Sequence, residues 1–179
     1  VRFLAQENAD ALKTFLLDMY ARRPIREAEY RAGNPFLETC PFFDHDTYGE
    51  VGRDGIPVRG GPRHRLFWEG RDPQKPSPVL KKSPLVKWRA GLRYRASTHA
   101  IDGLSHSAVT GALLHFKFFS DFAKRAEAEA RRGEHWEAGR QYKSYDDVLR
   151  EQPQLTAWHE GSSRFEGSLD LVRLGLARL

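Results

Sequence analysis

The sequence predicts an α/β protein folded as a single domain, residues 1–179. Three observations carry this. Strand patterns occupy the first two thirds, helix patterns gather in the last third, and an apolar run, Val109 to Leu114, has the character of a buried strand. A chain of 179 residues can bury a real core, and 40% hydrophobic with 30% charged residues is ordinary globular composition. Residues 1–116 are expected to form the strand-rich core and 117–179 a helical region.

The elements follow in order. Val1 to Asn8 (VRFLAQEN) reads as the tail of an amphipathic helix entered without a cap, and the sole methionine is Met19. Both point to the C-terminal part of a longer protein, and processing would leave the same signature. Asn8-Ala9-Asp10 is a turn, and Ala11 to Met19 (ALKTFLLDM) is a strand carrying Asp18 to its C-terminal edge. Ala21 to Phe43 is broken by Pro24, Pro35 and Pro41, with one helical turn around Phe36 to Thr39. Tyr48 to Pro62 is a glycine-rich loop, Arg63 to Trp68 (RHRLFW) a strand, and Pro73 to Pro84 a proline-rich linker. Gly91 to Thr98 alternates Leu92, Tyr94 and Ala96 with Arg93 and Arg95, as a half-exposed strand ending at His99 would.

After the Val109 strand comes the clearest helix, Asp121 to Arg132. Ser120 is its natural N-cap, Arg131 and Arg132 suit its negative end, and Gly133 stops it. Phe119, Phe122, Ala126 and Ala130 make its buried stripe. Ser144 with Asp147 resembles a capping box opening a second helix that Pro153 ends, and Ser168 is expected to cap a short last helix ending before Gly175.

No run reaches the ~18 apolar residues of a membrane helix, and nothing like a signal peptide opens the chain. Cys40, the only cysteine, excludes an internal disulfide and a thiolate metal cluster, so a reducing cytoplasm is expected. Net charge is +5, but the stretch from Arg53 to Arg95 carries +9, and the remainder −4. A basic middle calls for an anionic partner (phosphate, nucleotide, nucleic acid or lipid headgroup) or is a solvated surface.

Several residues could carry chemistry. His115 ends the buried strand, and Lys117, two residues on, is expected on the same face. This is the pattern of an active-site rim, or of a core histidine beside a solvated lysine. His99 also falls at an expected strand end, and two histidines with a carboxylate can hold a divalent metal. Asp18 is a candidate general base or a capping carboxylate. Arg59-Gly60-Gly61-Pro62-Arg63-His64-Arg65 could cradle a phosphate, though it is no P-loop, or be a plain turn. Asp44-His45-Asp46 looks like a metal triplet but reads better as a solvated turn.

Beyond these patterns, six stretches resemble the C-terminal half of bacterial family 2-like glycosyltransferases of the GT-A fold. They are FLLDMY (Phe15 to Tyr20), VRGGPRHRLF (Val58 to Phe67), SPLVKWRAGLRYRASTH (Ser83 to His99), TGALLHFKFFSDF (Thr110 to Phe122), ARRGEHW (Ala130 to Trp136) and SRFEGSLDLVRLGL (Ser163 to Leu176). The resemblance implies a partial GT-A-like mixed sheet followed by C-terminal helices, lacking the N-terminal half that binds the nucleotide. It implies metal-assisted transfer of a sugar from a nucleotide-sugar donor to a glycan or other hydroxyl acceptor, with a divalent Mn or Mg ion as cofactor. His115, with His99 second, would complete the metal shell. Arg59, Arg63, Arg65 and Lys117 would face the donor, and Asp18 would act at the sugar or acceptor. Peripheral membrane contact is compatible with this scheme, and without its other half the fragment is expected to be inactive.

Two other classes compete. A nucleic-acid module would stack bases on Trp68, Trp88 and Tyr94 between arginines, a partner class the resemblance disfavours. A non-catalytic interaction domain would dock its late helices on a partner and keep its histidines structural.

Overall fold

The computed structural model describes residues 2–52, 55–71, 76–95, 99–134 and 139–179. Within them the chain is α/β. A short helix α1 (Arg2–Gln6) leads into β1 (Ala11–Asp18), whose apolar run fills the centre of a three-stranded mixed sheet. Its neighbours are β5 (Lys81–Val86), antiparallel, and β6 (His106–His115), parallel. Between them lie a helical turn α2 (Phe36–Thr39), β2 (Phe42–Asp44) and a hairpin of β3 (Glu50–Val51) and β4 (Pro57–Arg59). Helix α3 (Gly61–Phe67) follows the hairpin. The C-terminal third holds α4 (Phe122–Arg132), α5 (Arg140–Glu151), β7 (Ser162–Arg164) and α6 (Ser168–Arg173). Strand β7 returns to pair with β2.

Three expectations are corrected. The Arg63 to Trp68 stretch is not a strand: Arg63 to Phe67 is helix, and Trp68 is its C-cap. Pro62 sits in its first turn, where a missing N–H costs nothing, and Arg63 and Phe67, four apart, share the buried face. The proline-rich linker contains β5, which tolerates Pro84 because the strand lies at a sheet edge and the proline is exposed. Opposite β1 the register slips between Leu12 and Thr14, which leaves Ser83 and Pro84 against Lys13 as a bulge. Gly91 to Thr98 is no strand as far as it is described. Only Tyr94 pairs, in an isolated bridge to Ile101, and residues 96–98 lie outside the described residues. Trp136 and the end of the ARRGEHW stretch lie outside them too.

Smaller differences concern helix starts. Asp121, not Ser120, is the N-cap of α4, although Gly133 closes the helix in the left-handed conformation as expected. Ser144 lies inside α5, where its hydroxyl donates to the Arg140 carbonyl.

Two apolar clusters make the core. One gathers Phe15, Leu17, Met19, Phe43, Leu80 and Phe119; the other gathers Tyr20, Phe67, Phe118, Phe122, Tyr145 and Val148. Consecutive residues leaving the sheet, Met19 with Tyr20 and Phe118 with Phe119, are divided between them.

Candidate functional site

Parallel pairing of β1 and β6 sets Asp18 opposite His115 at the C-terminal ends of both strands. This is the edge at which open α/β sheets place their ligands. The Asp18 carboxylate is 1% exposed and takes two donors on one oxygen. Arg63 Nη2 lies 2.6 Å from Oδ1 and His115 Nδ1 lies 2.5 Å from the same atom. Burial alone would raise the pKa of this carboxyl, but Arg63 and His115 outweigh it and hold the pKa at about 2.

An ionised carboxylate only accepts, so the proton on His115 Nδ1 points to Asp18. The 3.1 Å approach of Arg63 Nη2 to Nδ1 is therefore two donors converging on one oxygen. The imidazole is fixed in orientation and tautomer, its side chain is one-third exposed, and Nε2 has no partner among the described residues. A histidine held this way can ligate a metal through Nε2 or exchange a proton there.

Arg63 comes from the buried face of α3 and keeps its charge against burial because Asp18 faces it. Its Nε and the Tyr48 hydroxyl are both buried without a hydrogen-bond partner among the described residues. Burial, with Asp18 and Asp44 nearby, pushes the Tyr48 hydroxyl well above its ordinary pKa.

Lys117 does not continue the strand face, because β6 ends at His115 and the chain turns. Its amine lies 4.1 Å from the ring centre of Tyr145, 5.2 Å from Tyr142 and 5.3 Å from Phe122. Burial first, then Arg63, pushes its pKa down to about 7. Lys117 and His115 thus leave the same strand end in different directions: one imidazole toward Asp18, one amine among rings.

The other expected residues disperse. Arg59 donates to the Ser77 carbonyl and to Glu50 in the hairpin. Arg65 grips Asp44 with two donors at 3.1 Å and donates to the Ala157 carbonyl. The three arginines of the glycine loop therefore do not converge on one point; Arg63 and Arg65 each answer a different buried carboxylate. His99 donates through Nδ1 to the Lys81 carbonyl and accepts from Lys82 at Nε2, so both ring nitrogens are engaged away from His115.

Asp44 reverses its sequence reading as part of a solvated turn. It is wholly buried and takes bonds from the Tyr20 hydroxyl, Thr47, Arg65 and His159. Such saturation makes it a structural knot rather than an open ligand set. Trp68 likewise sits in the second cluster, 9% exposed, and presents no stacking face. The Cys40 thiol is buried and pushed up to about 12, which leaves it unreactive at neutral pH. Among the described residues, no group of three His, Cys, Asp or Glu side chains could hold a metal on its own. No described helix is long and apolar enough to cross a membrane.

Sequence reading singled out Asp18 and His115 separately but missed their pairing, and it missed Arg63 as the partner of Asp18. One available signal was the Arg63–Phe67 spacing behind Pro62, which marks a buried helical face carrying a cation. Set against known protein families, curated proteins and solved structures, the chain matches none.

Proposed function

We propose that the chain is the acceptor-side part of a bacterial family 2-like glycosyltransferase of the GT-A fold. It would take part in transferring a sugar from a nucleotide-sugar donor to a hydroxyl acceptor. One observation carries the reading: His115, at the C-terminal end of a parallel strand, is locked through Nδ1 by the buried Asp18 and leaves Nε2 open. Carboxylate–histidine pairs of this form orient metal-bound imidazoles.

The residues fit a divalent Mn or Mg ion only in part. His115 would supply one ligand, and the rest of the shell would come from the half that the resemblance places before Val1. His99 drops out of that shell, since both its ring nitrogens are engaged elsewhere. When bound, such an ion would neutralise charge developing on the leaving diphosphate. Asp18 takes a positioning role in place of the base suggested by sequence, because it is buried and satisfied by Arg63 and His115. Lys117 adds a cation beside the site when protonated, and that charge is lost as pH rises through about 7. Arg59, Arg63 and Arg65 do not face the diphosphate in this reading, being committed to Glu50, Asp18 and Asp44.

The test uses the full-length protein. His115→Ala should lower sugar transfer by about a hundredfold and, by taking one donor from the buried Asp18, lower stability by about 1–3 kcal/mol without unfolding the protein. Unaltered turnover in that variant would remove the role given to His115.

One observation favours a second reading. Trp88 and Tyr94, 60% and 45% exposed, stack on each other 5.8 Å apart beside Arg89, Arg93 and Arg95. Single-stranded nucleic acid could stack on such a surface, and steeply salt-dependent RNA binding without sugar-nucleotide binding would establish that reading.

A further inference from the structure

The Asp44-His45-Asp46 triplet divides at the end of β2. Asp44 shares a face with Ser162, its register partner on β7, and both meet the Tyr20 hydroxyl. Phe43 and its register partner Ser163 take the other face, and His45, just past the strand, joins them there. Ser163 Oγ and His45 Nδ1 lie 2.9 Å apart, although 118 positions separate them in the chain.

The neighbours of His45 favour one tautomer. Nε2 lies 4.0 Å from the Asp46 carboxylate, too far for a hydrogen bond but close enough for charge to favour a proton on that nitrogen. Nδ1 then holds the lone pair, and the Ser163 hydroxyl donates to it. A hydroxyl bonded to an imidazole lone pair, with a carboxylate near the far nitrogen, has the parts of an activated nucleophile. The two ring nitrogens exchange the roles they hold in the chymotrypsin triad, and either can accept a proton.

The hydroxyl is within reach of a ligand. Ser163 is half-buried and lines an open cleft of about 370 Å³, where Arg173 and Leu174 add a cation and an apolar wall. The strand also supplies a donor beside the hydroxyl. Phe42 exchanges both its backbone bonds with Tyr20, and Phe165 donates to the Pro41 carbonyl. The Phe42–Arg164 pair is therefore not hydrogen-bonded, and the Arg164 N–H points away from β2, along the outer edge of the two-stranded sheet. A backbone N–H directly after a nucleophile can receive the oxyanion of an acyl-transfer step.

We propose that Ser163 and His45 form a second catalytic pair, separate from Asp18 and His115, that hydrolyses small carboxylic esters through an acyl-serine intermediate. Ser163 Oγ attacks the ester carbonyl while its proton passes to His45 Nδ1. The bond to the alcohol oxygen then breaks, and the imidazolium returns that proton to the departing alcohol. Water, giving a proton to the same Nδ1, attacks the acyl carbon; the acyl–Oγ bond breaks, and Ser163 regains the proton as the carboxylic acid leaves. Asp46 is a positioning residue that steadies the imidazolium by its charge. The activity does not depend on the glycosyltransferase reading.

Hydrolysis of p-nitrophenyl acetate by the purified protein, with mass spectrometry after treatment with a fluorophosphonate, tests the proposal. Turnover should saturate, and the fluorophosphonate should sit on Ser163, a readout that needs no variant. Ser163→Ala and His45→Gln should each lower kcat by about a hundredfold, and Asp46→Asn by about tenfold with KM unchanged. Absence of saturable turnover, a fluorophosphonate adduct elsewhere than on Ser163, or an undiminished kcat in any of the three variants would overturn the proposal.

Discussion

At the scale of single residues, Lys117 is where charge and packing conflict. Its amine lies among three rings with Arg63 nearby, and its pKa falls to about 7, against an ordinary lysine value above 10. The folded state thus binds fewer protons than the unfolded state between those two values, so stability rises with pH across that window. Below about pH 7 the lysine is charged in both states and the cost of enclosing the ammonium is fully felt. Lys117→Met keeps the packing and removes the charge. It should raise stability by roughly 1–3 kcal/mol near pH 6, with the gain shrinking toward pH 9. Thermal melts at the two pH values measure this, and identical melting temperatures near pH 6 would show that the amine is well solvated. Asp18 is the opposite case, a buried charge made tolerable by two donors on one oxygen. Both residues stood out in the sequence as isolated side chains. Their environments did not, because Arg63 is 45 positions and His115 97 positions from Asp18.

At the scale of elements, α3 delivers Arg63 and Arg65 to the two buried carboxylates, and Gly60 sets the angle at which α3 leaves the hairpin. Gly60 has φ +124°, and a Cβ there would lie 2.5 Å from Tyr48 Cα and 2.6 Å from the Thr47 carbonyl oxygen. Neither backbone atom can swing aside as a side chain would. Gly60→Ala should therefore cost roughly 2–4 kcal/mol in urea denaturation; a loss below about 0.5 kcal/mol would mean that the hairpin moves freely. Elements were legible where one physical signal dominated. The apolar run of β1 and the stripe and closing glycine of α4 are of this kind. Where signals competed, sequence reading failed. RHRLFW, three polar residues followed by Leu66, Phe67 and Trp68, spans less than two helical turns and is too short to show a helical period, and the Pro-Lys-rich approach to β5 imitates a linker. Only the edge position and the bulge opposite Lys13 reconcile Pro84 with a sheet.

At the scale of the whole molecule, two apolar clusters are tied together by a polar clasp. Tyr20 belongs to the second cluster, yet its hydroxyl donates to Asp44 on β2 at 2.5 Å and receives Ser162 at 2.9 Å. Arg65 and His159 close on the same carboxylate from α3 and from the segment before β7. Tyr20→Phe removes one donor from a buried charge and should cost about 1–3 kcal/mol, with an unchanged denaturant slope if the molecule still unfolds as one unit. A split transition would show that the hydroxyl is what couples the clusters. The Asp18–His115 contact has a kinetic side as well. It needs β1 and β6 already aligned, a parallel pairing of segments nearly a hundred residues apart, and such pairings close late because the loop between them must be ordered first. The imidazole is thus a clock for the end of folding, and the candidate site comes into being only when the sheet is nearly finished.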